Sequence, residues 1–209
     1  MVLLLDAANT IIYKPAFYTR FAETLVTYGI NIKQEDFHRI HKIISESYQF
    51  PDRTSREFYN SFNRELLYAL GVIPDDKLLH DIFDNCSYLP WERFDDVKYI
   101  SEIPVKKAVL SNFHGGLHEI LNKLFLADFA EIIISESENL RKPDNFFLKK
   151  AVDKLGVSPS EILYVGDSVK LDLEPALKIG MNAWLIDRND YYPSCSRRIK
   201  SLREIKNLV

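Results

Sequence analysis

A carboxylate stands directly after the first apolar run of the chain. Val2–Leu5 is an unbroken apolar stretch, typical of a strand buried on both faces of a parallel sheet, and Asp6 follows it. A charge at the end of a buried strand costs free energy unless it is needed there. Ligands of open α/β sheets bind just beyond the carboxyl ends of the strands, so Asp6 is a candidate site residue. An Asp that only starts a turn would give the same pattern.

Two later apolar runs also end in polar residues. Ala108–Leu110 stops at Ser111–Asn112, and Ile162–Val165 is followed by Asp167 and, a little further on, by Asp172. If these runs are strands parallel to the first, their carboxyl ends lie at the same edge of the sheet. Hydroxyl, amide and carboxylate groups would then gather beside the first aspartate.

A lysine between these two runs completes an ordered set. Lys142, which precedes a proline, opens a helix-like stretch. Asp6, then Ser111, then Lys142, then an acidic pair resemble, in that order, the four motifs of the haloacid dehalogenase-like (HAD) hydrolase superfamily. The resemblance covers residues 1–12 and about 90–188. It implies a hydrolase with a doubly wound, parallel, Rossmann-like α/β sheet and an inserted helical cap.

Within that superfamily, two stretches resemble one subgroup most. Asp6–Thr10 and Leu110–Phe113 are most similar to uncharacterised HAD-like hydrolases. That subgroup lies near the L-2-haloacid dehalogenases and the HAD-like domain-containing 3 proteins.

Helical periodicity dominates residues 13–89. Four helices are predicted there, beginning near Pro15, near Gln34, after an N-cap at Ser55 and near Pro74. An insert of this kind between the first two strands is what the superfamily's cap domain looks like. A helical layer packed along one face of the sheet is the alternative interpretation.

Strand and helix patterns alternate through the rest of the chain, which favours a doubly wound parallel sheet. Residues 1–12 and 90–209 are therefore predicted to form one discontinuous core domain. Within it, a helix is expected over Asp95–Ile103, a strand over Glu131–Ser135 and a final helix in the tail, residues 191–209.

Composition narrows the class of protein. An apolar content of 46% and a charged content of 27% are ordinary for a soluble globular protein. A net charge of −3 gives no support for nucleic-acid binding. Cys86 and Cys195 suggest neither a disulfide framework nor a zinc site, and no membrane span or signal peptide is indicated. A cytoplasmic protein with a small-molecule substrate is expected, as a monomer or a homodimer.

The resemblance implies a chemical role for each motif. Asp6 would be the nucleophile, because a carboxylate that attacks phosphorus forms an aspartyl-phosphate and splits a hard displacement into two easier ones. Asp6, Asp167 and Asp172 would hold Mg²⁺, the last directly or through water, since carboxylate oxygens are hard ligands suited to this ion. Lys142 would neutralise both the nucleophile and the transferring group. The expected cofactor is Mg²⁺.

Hydroxyl and amide groups would bind the phosphate of the substrate. Ser111 and Asn112, with the N–H groups around them and with Lys142, would hold its non-bridging oxygens. Thr10 would position the nucleophile loop. Plain structural interpretations also exist: Thr10 would cap the turn, and Ser111 would be a turn residue. Lys142 would be a solvated loop lysine, and Asp172 would cap the following helix.

One position departs from the superfamily pattern. HAD phosphatases carry a second aspartate two residues after the nucleophile, which protonates the leaving group and then activates water; here that position is Ala8. A positioned acid or base is worth roughly 10²–10⁴-fold in rate, so ordinary phosphomonoester hydrolysis should be impaired. The backbone carbonyl of Ala8 is still available to Mg²⁺, since that role needs no side chain.

Three functions therefore stay open. The first is a Mg²⁺-dependent hydrolase of phosphorylated small molecules with unusual acid–base chemistry. The second is a 2-haloacid dehalogenase-like hydrolase of carbon–halogen bonds, because a halide leaves without a proton. Dehalogenases work without a metal, however, and lack the acidic motif that Asp167 and Asp172 preserve here. The third is a catalytically weak HAD fold that binds a phosphorylated ligand or a protein partner.

Overall fold

Parallel strands form the main sheet of the protein, whose computed structural model describes residues 1–125 and 129–209. Within these residues the strands, in chain order, are β1 Val2–Leu5, β2 Ile12–Tyr13, β3 Glu92–Arg93, β4 Lys106–Ser111, β5 Glu131–Ile134, β6 Ile162–Gly166, β7 Asn182–Ile186 and β8 Arg198–Ile199. Six of these described strands pair in the order β5-β4-β1-β6-β7-β8, all parallel, and β2 pairs with β3 antiparallel. The predicted parallel α/β sheet is confirmed.

Helices occupy most of the remaining chain. Those of the described residues are α1 Pro15–Thr27, α2 Gln34–Ser47, α3 Arg56–Ala69, α4 Asp76–Cys86, α5 Lys98–Ser101, α6 Leu117–Leu124, α7 Ser135–Glu138, α8 Asn145–Leu155 and α9 Glu174–Lys178. Tight 3₁₀ turns form at Asp95–Val97, Pro159–Glu161 and Leu202–Asn207, and a wide π-helical turn at Val169–Leu173. Across residues 1–125 and 129–209, each helix is too short or too polar to span a bilayer.

The first strand is central because it is apolar on both sides. All four residues of β1 are at most 2% exposed, and β1 pairs with β4 on one side and with β6 on the other. A strand buried on both faces reads as a continuous apolar run, which is what Val2–Leu5 shows. The carboxyl end of β1 consequently lies in the middle of one edge of the sheet.

Three expected elements differ from those observed. The helix expected over Asp95–Ile103 is a 3₁₀ turn followed by the one-turn helix α5, and the expected tail helix is the 3₁₀ turn Leu202–Asn207. In both segments the apolar residues recur every three positions, at 97, 100 and 103 and at 202, 205 and 208, which matches the three-residue period of a 3₁₀ helix. The expected strand Glu131–Ser135 ends one residue earlier, because Ser135 begins α7.

The chain divides into two compact units. The first, here called the core unit, comprises Met1–Tyr13 and Glu92–Val209 and contains the main sheet. The second, Lys14–Trp91, contains α1–α4 and has a core of its own, in which Phe21 and Phe62 are fully buried among leucine side chains. The four predicted helices in this segment are present at the expected places.

Ser55→Ala should lower the free energy of unfolding by about 1 kcal/mol, because it removes a helix N-cap. The Ser55 hydroxyl accepts a hydrogen bond from the backbone N–H of Phe58 at 3.2 Å, at the start of α3. Urea denaturation measures the change. Ser61→Ala, at an exposed position inside the same helix, is the matched control and should alter stability by less than about 0.5 kcal/mol. Equal losses in the two variants would contradict the assignment.

Candidate active site

The carboxyl ends of three neighbouring strands bring three polar residues together. Asp6 follows β1, Ser111 is the last residue of β4, and Asp167 follows β6, with β1 between the other two strands. The Ser111 hydroxyl donates to Oδ1 of Asp6 at 3.0 Å, and the Thr10 hydroxyl lies 3.4 Å from Oδ2. Asp6 is only 5% exposed, so these contacts form in a largely water-free setting.

Lys142 is buried and bridges two carboxylates. It is 4% exposed, and its Nζ donates to Oδ1 of Asp6 and to Oδ1 of Asp172, both at 2.6 Å. A buried ammonium is stable only when charged partners replace its lost water. Lys142 is thus not the solvated loop lysine of the alternative interpretation.

Asn112 fixes the backbone of Lys142. Its side-chain amide donates to the Lys142 carbonyl at 2.9 Å, and its side-chain carbonyl accepts from the Lys142 N–H at 2.7 Å. This pair of bonds ties the loop after α7 to the end of β4 over 30 residues of sequence. The side chain of Asn112 is therefore engaged by the protein itself, and it positions Lys142.

Asp172 is held from several directions. Its Oδ1 accepts from the Tyr164 hydroxyl at 2.7 Å, and its Oδ2 accepts from the Ser168 N–H at 3.0 Å. The π-helical turn in which it lies brings its side chain back over Gly166. A Cβ atom on Gly166 would be 2.3 Å from Cγ of Asp172, so any larger residue there would displace the carboxylate. The helix-capping interpretation of Asp172 does not describe these contacts.

Three carboxylates converge at the same point and suit a divalent cation. One oxygen each from Asp6, Asp167 and Asp172 lies within 4.8 Å of the others, among the described residues. Mg²⁺ prefers oxygen ligands and takes only a few carboxylates, with water completing its coordination. The donor set and the excess of negative charge therefore fit Mg²⁺.

Burial and neighbouring charges shift the pKa values of the site. Burial raises the pKa of Asp6 to about 6; Lys142 opposes this shift, while Asp172 and Asp167 add to it. Burial alone would lower the pKa of Lys142, but the adjacent Asp172 and Asp6 carboxylates raise it above its usual value. The ammonium is consequently charged, and Asp6 is harder to ionise than an ordinary aspartate.

The first turn, residues 6–12, is fixed mainly by its backbone. The Ala7 carbonyl accepts from the N–H groups of Ile11 at 2.9 Å and Ile12 at 3.0 Å. Asn9 has a left-handed φ of +59°, a conformation that asparagine tolerates better than most residues. These bonds use the Ala7 carbonyl rather than that of Ala8, which agrees with a ligand role for the Ala8 carbonyl.

Tyr164 is the site residue that sequence reasoning missed. It is 1% exposed, and its hydroxyl lies 2.7 Å from Oδ1 of Asp172 and 3.3 Å from Nζ of Lys142. In the sequence it was one member of the apolar run of β6. The available signal was a tyrosine inside the apolar run of a buried strand, because a buried tyrosine O–H usually has a hydrogen-bond partner.

The chain resembles known proteins over most of its length. A family model described as haloacid dehalogenase-like hydrolase matches residues 18–186. The haloacid dehalogenase-like hydrolase domain-containing protein 3 of Danio rerio is 31% identical over 121 residues, 55% of this chain and 50% of that protein. A glyceraldehyde 3-phosphate phosphatase of Methanocaldococcus jannaschii is 33% identical over 86 residues, 39% of this chain and 38% of that protein. The chain thus spans about half or less of the length of these curated relatives.

Solved structures share the fold. A HAD-hydrolase from Bacillus subtilis bound to magnesium has a TM-score of 0.70 at 17% identity, over 99% of this chain and 97% of that one. The L-2-haloacid dehalogenase of Xanthobacter autotrophicus with chloropropionic acid covalently bound has a TM-score of 0.63 at 20% identity, over 99% and 97% of the two chains. At these identities the likeness shows the fold alone, and the fold expected from the four motifs is confirmed.

Tyr164→Phe should destabilise the protein by roughly 1.5–3 kcal/mol, because a hydrogen bond to a buried charged carboxylate is lost. The substitution removes a single oxygen and leaves the packing of the ring intact. Tyr88→Phe is the matched control, since Tyr88 is 96% exposed. Urea denaturation of both variants measures the difference. A Tyr164 variant as stable as the control would contradict the contact with Asp172.

Proposed function

This chain belongs to the haloacid dehalogenase-like hydrolase family, and from that membership we propose that it is a Mg²⁺-dependent hydrolase of phosphorylated small molecules. The reaction would pass through a covalent intermediate on Asp6, without the general-acid aspartate whose position Ala8 takes. One observation carries the proposal: buried Lys142 lies 2.6 Å from both Asp6 and Asp172, with an oxygen of Asp167 in the same cluster.

A phosphoryl group is the substrate chemistry that this cluster favours. Lys142 and the Ser111 hydroxyl both face Oδ1 of Asp6 and offer donors to an incoming anion. Pre-positioned donors of this kind stabilise the charge on transferring phosphoryl oxygens. Two relatives that match part of this chain are named glyceraldehyde 3-phosphate phosphatases, which supports phosphate hydrolysis as the reaction, although that alkyl phosphate has a poorer leaving group than the substrates proposed below.

Asp6, Asp167 and Asp172 would hold the Mg²⁺, together with the backbone carbonyl of Ala8. When bound, the ion neutralises negative charge on the carboxylates and on the phosphoryl oxygens. The residues of the chain fit this role because their oxygens already lie together in a site that excludes most water.

Asp6 would perform the chemistry in two steps. Its Oδ1 is engaged by Lys142 at 2.6 Å and by Ser111 at 3.0 Å, whereas the Thr10 hydroxyl lies 3.4 Å from Oδ2, so Oδ2 is the attacking atom. Attack forms an Asp6–phosphorus bond and breaks the bond to the leaving oxygen. Water then attacks phosphorus, breaks that bond, releases inorganic phosphate and restores the carboxylate. Lys142 balances charge in both steps.

The residue at position 8 would restrict the leaving group. A methyl side chain has no proton to give, so the leaving oxygen departs as an anion and takes its proton from water. Leaving groups of low pKa tolerate this, while alkoxides do not. The proposed substrates are therefore activated phosphates, such as acyl or aryl phosphates, rather than simple alkyl esters.

We also propose that the helical unit, Lys14–Trp91, is the cap domain that selects the substrate. Its helices are inserted between β2 and β3 of the core unit in sequence, and it has its own apolar core. An insert with a separate core can change its surface side chains without altering the sheet that positions Asp6.

Comparing phosphate and haloacid substrates with and without metal tests the function. The wild type should hydrolyse p-nitrophenyl phosphate and acetyl phosphate in Mg²⁺ and lose this activity in EDTA. Activity on 2-chloropropionate that survives EDTA would favour a dehalogenase. Binding of phosphate without turnover of any donor would indicate a ligand-binding protein.

Mg²⁺ should raise the Tm of the wild type, and Asp167→Ala should remove this rise. At 100 times Kd the ion stabilises the fold by about 2.7 kcal/mol, which is about 5–10 °C for a chain of this size. Asp153→Ala, at an exposed position on α8, is the matched control and should keep the full rise. Differential scanning fluorimetry with and without Mg²⁺ measures each difference. An unchanged rise in the Asp167 variant would place the ion elsewhere.

Ala8→Asp should accelerate hydrolysis most for substrates with poor leaving groups. The new carboxyl group would protonate the leaving oxygen. The rate of hydrolysis should rise by up to roughly 10²–10⁴-fold for alkyl phosphates and by far less for p-nitrophenyl phosphate. Kinetics over a series of phosphate esters at saturating Mg²⁺ give the dependence of kcat/KM on leaving-group pKa, which should flatten in the variant. Saturating metal is needed because a further carboxylate beside Asp6 adds repulsion.

Two further variants control this comparison. Ala8→Asn has nearly the same shape as the aspartate and no acidic proton, so it should keep the steep dependence of the wild type. Asp6→Asn should abolish turnover of every phosphate ester. Equal acceleration of all esters by Ala8→Asp, or an active Asp6→Asn variant, would refute the proposed mechanism.

A further inference from the structure

We propose that Arg188 is a positioning residue for the first turn, residues 6–12, and thereby for the metal and the nucleophile; this inference rests on the proposed function. Arg188 follows β7 and is far from the turn in sequence. Its side chain nevertheless reaches the backbone of that turn and joins it to the C-terminal part of the chain.

The guanidinium of Arg188 donates to two successive carbonyls of the first turn. Its Nη2 lies 3.0 Å from the carbonyl oxygen of Thr10, and its Nη1 lies 3.4 Å from that of Asn9. The planar fork of an arginine can serve two neighbouring acceptors at once, which a lysine ammonium does with less geometric control. These contacts supplement the bonds that the Ala7 carbonyl makes inside the turn.

Arg188 is itself held in place. Its Nη2 also donates to Oδ1 of Asp96 at 2.9 Å, and the guanidinium stacks on the ring of Phe94 at 3.9 Å from the centroid. The second oxygen of Asp96 accepts from the Ser201 hydroxyl and the Leu202 N–H, both at 2.9 Å. The arginine is therefore anchored at the start of the last 3₁₀ turn.

Phe94 links the same arginine to the turn by a second route. The Phe94 N–H donates to the carbonyl of Ile11 at 3.2 Å, and its ring stacks on Tyr13 at 4.1 Å between centroids. Arg188 thus packs on Phe94, which is hydrogen-bonded to the turn, while its own N–H groups donate to the carbonyls of the turn. Arg188 and Phe94 together contact Asn9, Thr10, Ile11 and Tyr13.

The first turn carries two groups that belong to the proposed site, the Thr10 hydroxyl and the Ala8 carbonyl. Thr10, whose carbonyl Arg188 binds, also offers its hydroxyl to Oδ2 of Asp6 at 3.4 Å. Ala8, whose carbonyl is a proposed Mg²⁺ ligand, lies one residue before Asn9. A displacement of this backbone would move both the nucleophile's partner and a metal ligand. Substitution of residues that orient the ligands of a metal typically lowers the metal affinity or the activity by about 10–100-fold.

Charge supports the same role. Burial lowers the pKa of Arg188, while Asp96 and Asp167 act in the opposite direction through their charges. Arg188 therefore contributes positive charge near the carboxylate cluster without entering it as a partner of Asp6.

Arg188→Ala and Arg188→Lys in the full chain test the proposal, with Arg198→Ala as the matched control. The side chains of Arg188 and Arg198 are 19% and 21% exposed, and each pairs with a carboxylate of the core unit. Arg198 pairs with Asp187 and Asp190 and makes no described contact with the first turn. Titration calorimetry gives the Kd of Mg²⁺ without substrate, and p-nitrophenyl phosphate gives kcat and KM.

Arg188→Ala should raise the Kd of Mg²⁺ roughly 10–100-fold and lower kcat by a similar factor. Arg188→Lys keeps a cation beside Asp96, so its Tm should stay near that of the wild type while its Kd still rises. Arg198→Ala should lower the Tm and leave Kd and kcat unchanged.

Wild-type values of Kd and kcat in both Arg188 variants would overturn the proposal, whatever their Tm. So would an equal rise in Kd in Arg198→Ala, because the effect would then follow stability and not the turn. If the wild type binds Mg²⁺ but hydrolyses no phosphate ester, the proposed function fails, and the Kd values alone still decide the role of Arg188.

Discussion

The buried ammonium of Lys142, shared by Asp6 and Asp172, is the interaction on which the rest of the site depends. Taking such an ion out of water costs several kcal/mol even after relaxation, and only partners at hydrogen-bonding distance restore that loss. Both carboxylates lie 2.6 Å from Nζ. The surrounding bonds serve to keep these three groups in place: Asn112 holds the backbone of Lys142, and Ser168 and Tyr164 hold Asp172.

One ammonium does not balance the carboxylates around it. With Asp167 in the cluster, two negative charges stay uncompensated when all the groups are ionised, and burial already raises the pKa of Asp6 to about 6. A folded protein tolerates such an imbalance when a function requires it, since neutral side chains would pack there at lower cost. The imbalance supports the proposal of a further cation at this cluster, and its hard oxygen donors would favour Mg²⁺ over softer metals.

The sequence was sufficient to predict the edge of the sheet at which the site lies, because strand ends are local features. Apolar runs stop abruptly before Asp6 and Asp167, and parallel strands bring such ends together. Contacts across the fold were not predictable in this way. Tyr164 looks like a strand residue in sequence, and Arg188 lies 178 residues from Thr10, whose carbonyl it binds. In the tail, an apolar period of three residues predicts a helix, and the structure forms a 3₁₀ turn, which has that period.

The backbone of the first turn is formed independently of the side chain at position 8. Its shape comes from the Ala7 carbonyl and from the left-handed backbone of Asn9, and neither depends on the side chain at position 8. The contacts of Asp6 with Lys142, Ser111 and Thr10 also do not involve the side chain at position 8. In the proposed mechanism, substitution at position 8 would therefore act mainly on proton transfer, because the groups that would bind the phosphoryl oxygens are positioned independently of it. In the proposed reaction, the side chain at position 8 would decide which leaving groups can depart, and the rest of the site would direct the attack on phosphorus.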